Sequence, residues 1–195
     1  VVIPTYNYVR FIGQCIESVL AQTYEKIEII VINDGSTDGT LFELKKFNER
    51  IMTISTKNQG ACMARNTGFN YSKGEYVSFL DSDDFWLPNM IETLYSQICQ
   101  TNADLVYCDS ISFDEEAEIQ FATSRSAKID LSWFHENPGR TPFAPSSVLL
   151  SRDLISRTSG WNTSLRSPAE DFDFFRRCAK HGNIMYVNKP LVFHR

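Results

Sequence analysis

Three carboxylates fall within four positions of VSFLDSDDFW (77–86), where Asp81, Asp83 and Asp84 interrupt an otherwise apolar run. Like charges this close repel unless water, hydrogen bonds, a basic group or a cation neutralises them. Asp81 and Asp83 stand at i and i+2 where an apparent strand, YVSFL, ends. That arrangement suits Mg2+ or Mn2+, which take one or two protein carboxylates and complete their shell with phosphate oxygens and water. A solvated turn in which one acid caps the next segment is the simpler alternative.

A second acidic cluster lies far along the chain in PAEDFDFFRRC (168–178). Pro168 favours a helix start, and Glu170, Asp171 and Asp173 sit at its electropositive end. Phe172, Phe175 and Cys178 are expected to face the core, which lets Asp171 look toward a cleft. Charge pairing at a helix start explains the same acids without chemistry. In NDGSTDGT, Asp34 could accept from a base or a ribose hydroxyl, or simply end a tight turn capped by Ser36 or Thr37. Lys57, Arg65 and Arg166 are the candidate phosphate-facing cations. Arg65 equally suits an ordinary salt bridge, and Arg166 a mobile surface loop. His194 ends PLVFHR and could approach the cation as an imidazole ligand or be incidental, whereas His135 and His181 read as surface. Trp161, in the loop leading to the second acid cluster, is a better candidate than Trp133 for stacking on an acceptor sugar, though it could simply pack.

The elements that must position these residues alternate. VVIP, IEIIVIN (27–33), IMTIS (51–55), YVSFL (76–80) and ADLVYCD (103–109) read as short strands. Between them, 9–20, 38–48 (Leu41, Phe42 and Leu44 inward), 60–71 and 89–99 carry helical periodicity. This βαβ rhythm implies an α/β fold with a mostly parallel central sheet and helices on both faces. Right-handed crossovers place the loops PTYN, NDGSTDGT, TKNQGACMARN and DSDD along one edge. Residues 112–145 break the rhythm and read as a variable excursion that could place a helix over the cleft. Order returns at SSVLL (146–150), in a helix near 171–180, and in two closing strands, NIMYVN and LVFHR.

The 195 residues suit a single domain. A hydrophobic content of 43% with 22% charged residues fits a globular chain, and no apolar run is long enough to span a bilayer. The formal net charge of −5 argues against nucleic acid as the main partner. Five cysteines without C-x-x-C spacing, with Cys15, Cys99 and Cys178 in apolar helical patterns, favour a reducing, cytoplasmic setting, at most at the inner face of a membrane. No signal peptide is evident, but the first strand begins at once, which points to a trimmed chain. Neither G-x-G-x-x-G nor G-x-x-x-x-G-K-[ST] is present.

In this order, VVIPTYN, VINDGSTDGT, NQGACMARNTGF, YVSFLDSDD and AEDFDFFRR resemble the inverting nucleotide-sugar glycosyltransferases of the GT-A fold, glycosyltransferase family 2. The resemblance implies a nucleotide-binding half over about 1–110 and an acceptor-binding and catalytic-base half over about 111–195, with Pro4, Thr5 and Tyr6 lining a nucleobase pocket and Asp34 contacting uracil. It further implies that Asn58 and Arg65 lie near nucleotide and phosphate, Asp81 near ribose, and Asp83 on Mn2+ or Mg2+, with His194 as a further metal ligand. Asp171 is then the catalytic base, with Glu170 and Trp161 on the acceptor side. The implied partners are a nucleotide-sugar, a UDP-sugar by preference, and a glycan or lipid-linked saccharide acceptor, with peripheral membrane association through other parts as an option. The Q-x-x-R-W motif of processive members is absent from the sequence, which favours transfer of single sugars. The rival expectations are a catalytically silent nucleotide-sugar or glycan-binding module and a nucleotidyltransferase, which would prefer a basic, Gly-rich loop where PTYNYVRF stands.

Overall fold

A computed structural model describes residues 1–114, 119–123, 129–167 and 169–195, so Pro168, expected at a helix start, lies outside the described residues. The β-branched runs become short, fully buried strands: β1 (Val2–Thr5) and β2 (Ile30–Asn33) pair in parallel, Val2 opposite Ile30. β3 (Met52–Ser55) extends the sheet as an edge, where Met52 is exposed. α1 (Ile12–Leu20) buries Ile12, Cys15, Ile16 and Val19, the i, i+3, i+4, i+7 stripe of an amphipathic helix. α2 (Thr40–Leu44) is brief and passes into a 3-10 turn, Lys45–Phe47. α3 (Ala61–Tyr71) lies over β1 and β2.

Residues 76–80 stitch this sheet to a second one. β4 (Tyr76–Val77) pairs antiparallel with β8 (Val148–Ser151), while two residues on, Phe79 bridges in parallel to Val2. The Val2 N–H donates to Ser78 O at 2.9 Å, and the Leu80 N–H donates to Val2 O at 2.9 Å. The second sheet runs β4-β8-β6-β9-β5, with β5 at Phe85–Trp86, β6 at Leu105–Asp114 and β9 at Ile184–His194; β7 (Ile119–Thr123) pairs with β6. Among the described residues only β6 and β9 pair in parallel within it, so the sheet is more mixed than the βαβ rhythm implied. The two closing strands merge into β9. Pro190 lacks an N–H, and the register shifts on either side of Asp109, its partner on β6.

Helices cover both faces, as expected. α1 and α4 (Met90–Thr101) close one core with Ile3, Val31, Leu94 and Val106. On the other face α6 (Arg152–Arg157) and α7 (Ala169–His181) enclose Phe79, Tyr107, Phe174 and Phe175. The excursion supplies the rest of β6, β7 and α5 (Leu131–Glu136), whose Phe134 packs on Phe172.

Several local expectations need correction. Leu41 and Phe42 are exposed, Phe42 by 72%, because α2 ends too soon to carry a long apolar stripe; Leu44 alone of the three is buried. Asp38 accepts at Oδ1 from the Thr40 N–H at 2.9 Å, and the N-cap of α2 is Gly39 just after it and not Ser36 or Thr37. Those two instead bind Asn7: the Asn7 N–H donates to Ser36 Oγ, and the Thr37 N–H donates to Asn7 Oδ1. Cys99 is exposed, unlike Cys15 and Cys178. Phe174, which the helical pattern passed over, is fully buried, and Phe172 only partly so.

Gly68 sets how closely α3 approaches β1, since a Cβ there would lie 2.3 Å from Val2 Cγ1. Alanine gains about 1 kcal/mol of helix propensity, but overpacking of this kind costs about 1–3 kcal/mol. Gly68→Ala should therefore be less stable than the parent in urea denaturation, with Val2→Ala in the same background restoring most of the loss. An equally stable Gly68→Ala chain would show that α3 is free to shift.

Candidate functional site

The loops at the C-terminal ends of β1, β2 and β3 meet the segment after Leu80 around a cavity of about 480 Å³. Pro4, Thr5 and Tyr6 line it from the end of β1, Asp34 from β2, and Asn58 from the loop after β3. Arg65 enters from α3, Asp81 and Asp83 from the acidic loop, and Glu170 from α7. Most residues singled out in the sequence thus share one wall-to-wall space. Lys57 is exposed and Arg166 is an exposed loop residue whose guanidinium lies beside Gly60.

Asp34 is 3% exposed and ties the loop after β3 in place. Its carboxylate accepts from Thr56 Oγ1 at 3.0 Å, from the Gln59 N–H at 3.0 Å and from the Gly60 N–H at 2.7 Å. The neighbouring Gly35 has φ +77°, and a side chain there would meet Asn58 N at 2.8 Å. The first two loops are bound to each other as well: the Tyr8 N–H donates to Thr40 Oγ1 and the Val9 N–H to Asp38 Oδ2. Tyr8 lines the cavity and was missed in the sequence, although PTYNY places it two residues beyond Tyr6.

The three crowded acids prove to have separate partners. Asp81 Oδ1 accepts from Arg65 Nη2 at 2.6 Å. Asp83 shares a hydrogen bond with the Tyr8 hydroxyl, and burial followed by the charge of Asp81 raises its pKa. Asp84 is 1% exposed and turns away from the cavity, accepting from Ser146 Oγ at 2.5 Å and from the Arg195 N–H at 3.2 Å. Burial, with Asp81 nearby, raises its pKa to about 8. Of the three acids, only Asp81 and Asp83 line the cavity.

Arg65 joins this loop to the second acid cluster. It is 5% exposed, with Nη1 3.8 Å from Asp171 Oδ1 and its guanidinium 4.5 Å above the Trp161 ring. Burial opposes its charge, but Asp81 and Asp171 more than restore it and raise its pKa. Burial pushes Asp171 up to about 7, with Arg65 pulling down and Asp81 and Glu170 pushing further up. Among the described residues, Arg65 Nε and Nη1, Glu170 Oε2 and Thr5 Oγ1 find no hydrogen-bond partner although buried, and all three residues line the cavity. Buried polar atoms in native proteins are nearly always satisfied. This set presents donors and acceptors to a polar ligand.

Trp161 must be reassigned. It is 2% exposed, stacked on Phe174 at 4.1 Å between ring centroids and edge-on to Phe79, so it offers no wall to an acceptor. The chain reverses there through Ser159 and Gly160, both at positive φ, and Asn66 bonds both Trp161 N–H and O at 2.8 Å. His194 is exposed and lines a neighbouring pocket rather than this cavity, although its charge bears on Asp83. Among the described residues no three His, Cys, Asp or Glu side chains gather to hold a metal alone. A single carboxylate, raised in pKa beside another acid, fits a dication whose remaining ligands come from a phosphorylated substrate.

Removing Arg65 leaves two acids without their counter-charge. A broken buried pair costs about 3–5 kcal/mol, and because Asp81 is 30% exposed the loss in Arg65→Met should be nearer about 2 kcal/mol. Asp81→Asn added to Arg65→Met should recover part of it, read as the urea midpoint at pH 8. If Arg65→Met is as stable as the parent, the guanidinium does not hold the two clusters together.

The family model described as glycosyl transferase family 2 matches residues 1–157. GlyA, a glycosyltransferase of Streptococcus pneumoniae serotype 4, is 43% identical over 118 residues, covering 59% of this chain and 17% of that protein. WfgD of Escherichia coli, a UDP-Glc:alpha-D-GlcNAc-diphosphoundecaprenol beta-1,3-glucosyltransferase, is 37% identical over 109 residues, covering 55% of this chain and 43% of that protein. The solved structure of S. aureus TarS 1-349 in complex with UDP-GlcNAc superimposes with a TM-score of 0.84 at 20% identity, covering 99% of this chain and 57% of that one. The mannosyltransferase PcManGT of Pyrobaculum calidifontis, in complex with GDP-Man and Mn2+, gives 0.74 at 19% identity, covering 99% and 55%. The chain thus spans less than two thirds of each of these proteins, and the structural likeness is one of fold, the GT-A fold. With the family match running from β1 through α6, across the loops after β1, β2 and β3 and the acidic loop, the chain belongs to glycosyl transferase family 2.

Proposed function

We propose that this chain transfers a single sugar, with inversion, from a nucleotide-sugar of the UDP type to a hydroxyl of a glycan or lipid-linked acceptor, with the help of Mn2+ or Mg2+. The observation that carries this reading is Arg65, which ties the acid of the donor cavity, Asp81, to a second carboxylate, Asp171, whose pKa sits near neutrality. An acceptor hydroxyl ionises far above pH 7, so a base must take its proton as the bond to the anomeric carbon forms. A base is most effective when its pKa lies near the working pH. Asp171 is that base, and Arg65 holds it in place without permanently neutralising it, because the 3.8 Å contact is an ion pair rather than a tight hydrogen bond.

On the donor side, Pro4, Thr5 and Tyr6 receive the nucleobase and Asp34, fixed by three donors, accepts from the uracil ring. Asn58 borders the nucleotide, and Asp81 takes a ribose hydroxyl while it retains Arg65. Asp83 would hold the metal, with His194 as the candidate second ligand, and a dication there would supply Lewis-acid stabilisation of charge on the departing diphosphate. Glu170, with one buried oxygen unsatisfied, stands between the two halves of the reaction and can accept from a hydroxyl of either sugar. WfgD, by its name, uses UDP-Glc and a lipid-linked sugar, and TarS binds UDP-GlcNAc. Those relatives support the substrate class for this chain and leave the sugar open.

The metal assignment predicts that Mn2+ strengthens UDP binding to the parent by at least about tenfold, about 1.4 kcal/mol, and that Asp83→Ala abolishes the enhancement. Calorimetric titration with and without Mn2+ reads both, and equal enhancement in the two proteins would remove Asp83 from the metal site. The base assignment predicts that Asp171→Asn lowers kcat by about 10²–10⁴-fold, with UDP affinity in Mn2+ unchanged within about threefold, under about 1 kcal/mol.

The pH profile supplies an independent check. Asp171 works as the anion, and its pKa is raised to about 7. Activity in the parent should therefore rise with pH through that value and level off above it. A profile already flat from pH 5 upward, or an Asn variant turning over within tenfold of the parent, would assign the base elsewhere. Turnover that cleaves the donor between its phosphates rather than at the anomeric carbon would instead favour a nucleotidyltransferase.

A further inference from the structure

The acidic loop is a tight turn. The Asp84 N–H donates to Asp81 O at 3.0 Å, which closes the turn over Ser82 and places Asp83 third of its four residues. How the turn is held therefore sets the direction in which the Asp83 side chain leaves the backbone. The closing bond uses the carbonyl of the first residue and leaves that of the third to a donor from outside the turn.

Arg195, immediately after β9, supplies that donor. Its Nη1 donates to Asp83 O at 2.6 Å and its Nη2 to Gln14 Oε1 at 2.7 Å, so one planar fork spans the acidic loop and α1. The guanidinium lies 4.7 Å from the centre of the Phe11 ring and 5.3 Å from that of Phe85. Phe85 in turn stacks on Phe193 at 4.6 Å, within the β5–β9 pair. Two aromatic faces and the end of β9 thus orient the fork.

The same residue grips the turn a second time through its main chain. The Arg195 N–H donates to Asp84 Oδ1 at 3.2 Å, while Asp84 Oδ2 accepts from Ser146 Oγ at 2.5 Å. That hydroxyl oxygen also accepts from the Asp81 N–H at 3.1 Å, which fastens the other end of the turn. Asp84, Ser146 and Arg195 stand behind the turn, outside the lining of the nucleotide cavity, whereas Asp83 belongs to that lining. Arg195 therefore acts on the cavity through Asp83.

We infer that Arg195 is a positioning residue for the metal acid: by holding the Asp83 carbonyl it fixes the turn, and with it the aim of the Asp83 carboxylate into the cavity. The inference rests on the reading of Asp83 as a metal ligand, but the hold on the turn does not. A small hard dication demands near-ideal ligand geometry. Removing a group that orients a ligand from behind typically costs about 10–100-fold in metal affinity. The guanidinium does this by donating to a main-chain oxygen, so it leaves both carboxylate oxygens of Asp83 to the cavity.

The test uses the full chain and two variants. Arg195→Met keeps an unbranched stem between the rings but loses the donors, and Arg195→Lys keeps the charge but lacks the fork. In calorimetric titration without metal, UDP should bind both variants within about threefold of the parent. The gain in UDP affinity that Mn2+ gives the parent should shrink by about tenfold in both. An unchanged gain in Arg195→Met, or equal losses with and without Mn2+, would overturn the positioning role. Full recovery in Arg195→Lys would also overturn it, by assigning the effect to the charge that Arg195 exerts on Asp83 through space. Should Mn2+ give the parent no gain, the metal reading fails separately, and amide exchange decides the hold on the turn. Exchange at Asp84 at least about tenfold faster in Arg195→Met, with Leu80 unchanged, supports it, and equal exchange overturns it.

Discussion

A guanidinium taken almost wholly out of water is the constraint around which this protein is organised. Burying a charge is tolerable only when opposite charge and hydrogen bonds stand ready inside, and Arg65 finds them on two elements remote in sequence. Asp81 comes from the end of the segment that joins the sheets, and Asp171 from the first turn of α7. Trp161 supplies the third side, lying flat beneath the guanidinium with Phe174 behind it. The cation therefore dictates where α3, the acidic loop and α7 sit relative to one another, and those are the parts that carry the chemistry.

The sites around Arg65 depend on less conspicuous supports. Asn66, the next residue, grips both backbone groups of Trp161, while Arg177 donates to Gly160 O at 2.7 Å and is itself held by Asp173 at 2.6 Å. The acids flanking Asp171 thus have different employments: Asp173 fastens the helix to the preceding turn, and Glu170 faces the cavity. Around the cavity, the Asn7 and Asp38 side chains accept from main-chain N–H groups and bind the first two loops together, so these walls are preorganised. Such preorganisation lowers the ordering cost of binding.

Much of this was legible in the sequence because carboxylates and glycines at strand ends have few structural reasons to occur together. The alternation of strands and helices located the edge at which Thr5, Asp34, Asn58 and Asp81 meet, and all four border one cavity. What escaped detection required knowledge of the third dimension. Trp161 follows a glycine in a polar stretch and so looked exposed, yet the positive-φ turn at Ser159 and Gly160 folds it back into the core. Leu41 and Phe42 fit a helical stripe, but that stripe presupposed a helix longer than the chain forms. The segregation of Asp84 from its two neighbours was equally hidden, since its partners, Ser146 and Arg195, lie far along the chain. The pairing of β6 with β9 could not be inferred at all, because strand order depends on packing that local periodicity does not encode.

The bridge between Val2 and Phe79 has a consequence for how the molecule comes apart. Proteins open in cooperative units, and a junction made of few main-chain bonds commonly marks the border between two of them. Among the described residues, the first sheet and the second are joined in strand fashion by a single isolated bridge, the pair of bonds that Val2 makes with Ser78 and Leu80. Leu80 is immediately followed by the acidic loop. A fluctuation that parts the two sheets would therefore pull apart Asp81 and the loops after β1 and β2 before either sheet lost its own hydrogen bonds. Amide exchange at Val2 and Leu80 then reports a subglobal opening, and the partly opened protein is a folded but incompetent species. The assembled site is in this sense a gauge of the seam between the sheets, which opens only together with the core that Ile3 and Val31 share with Val106 and Val192.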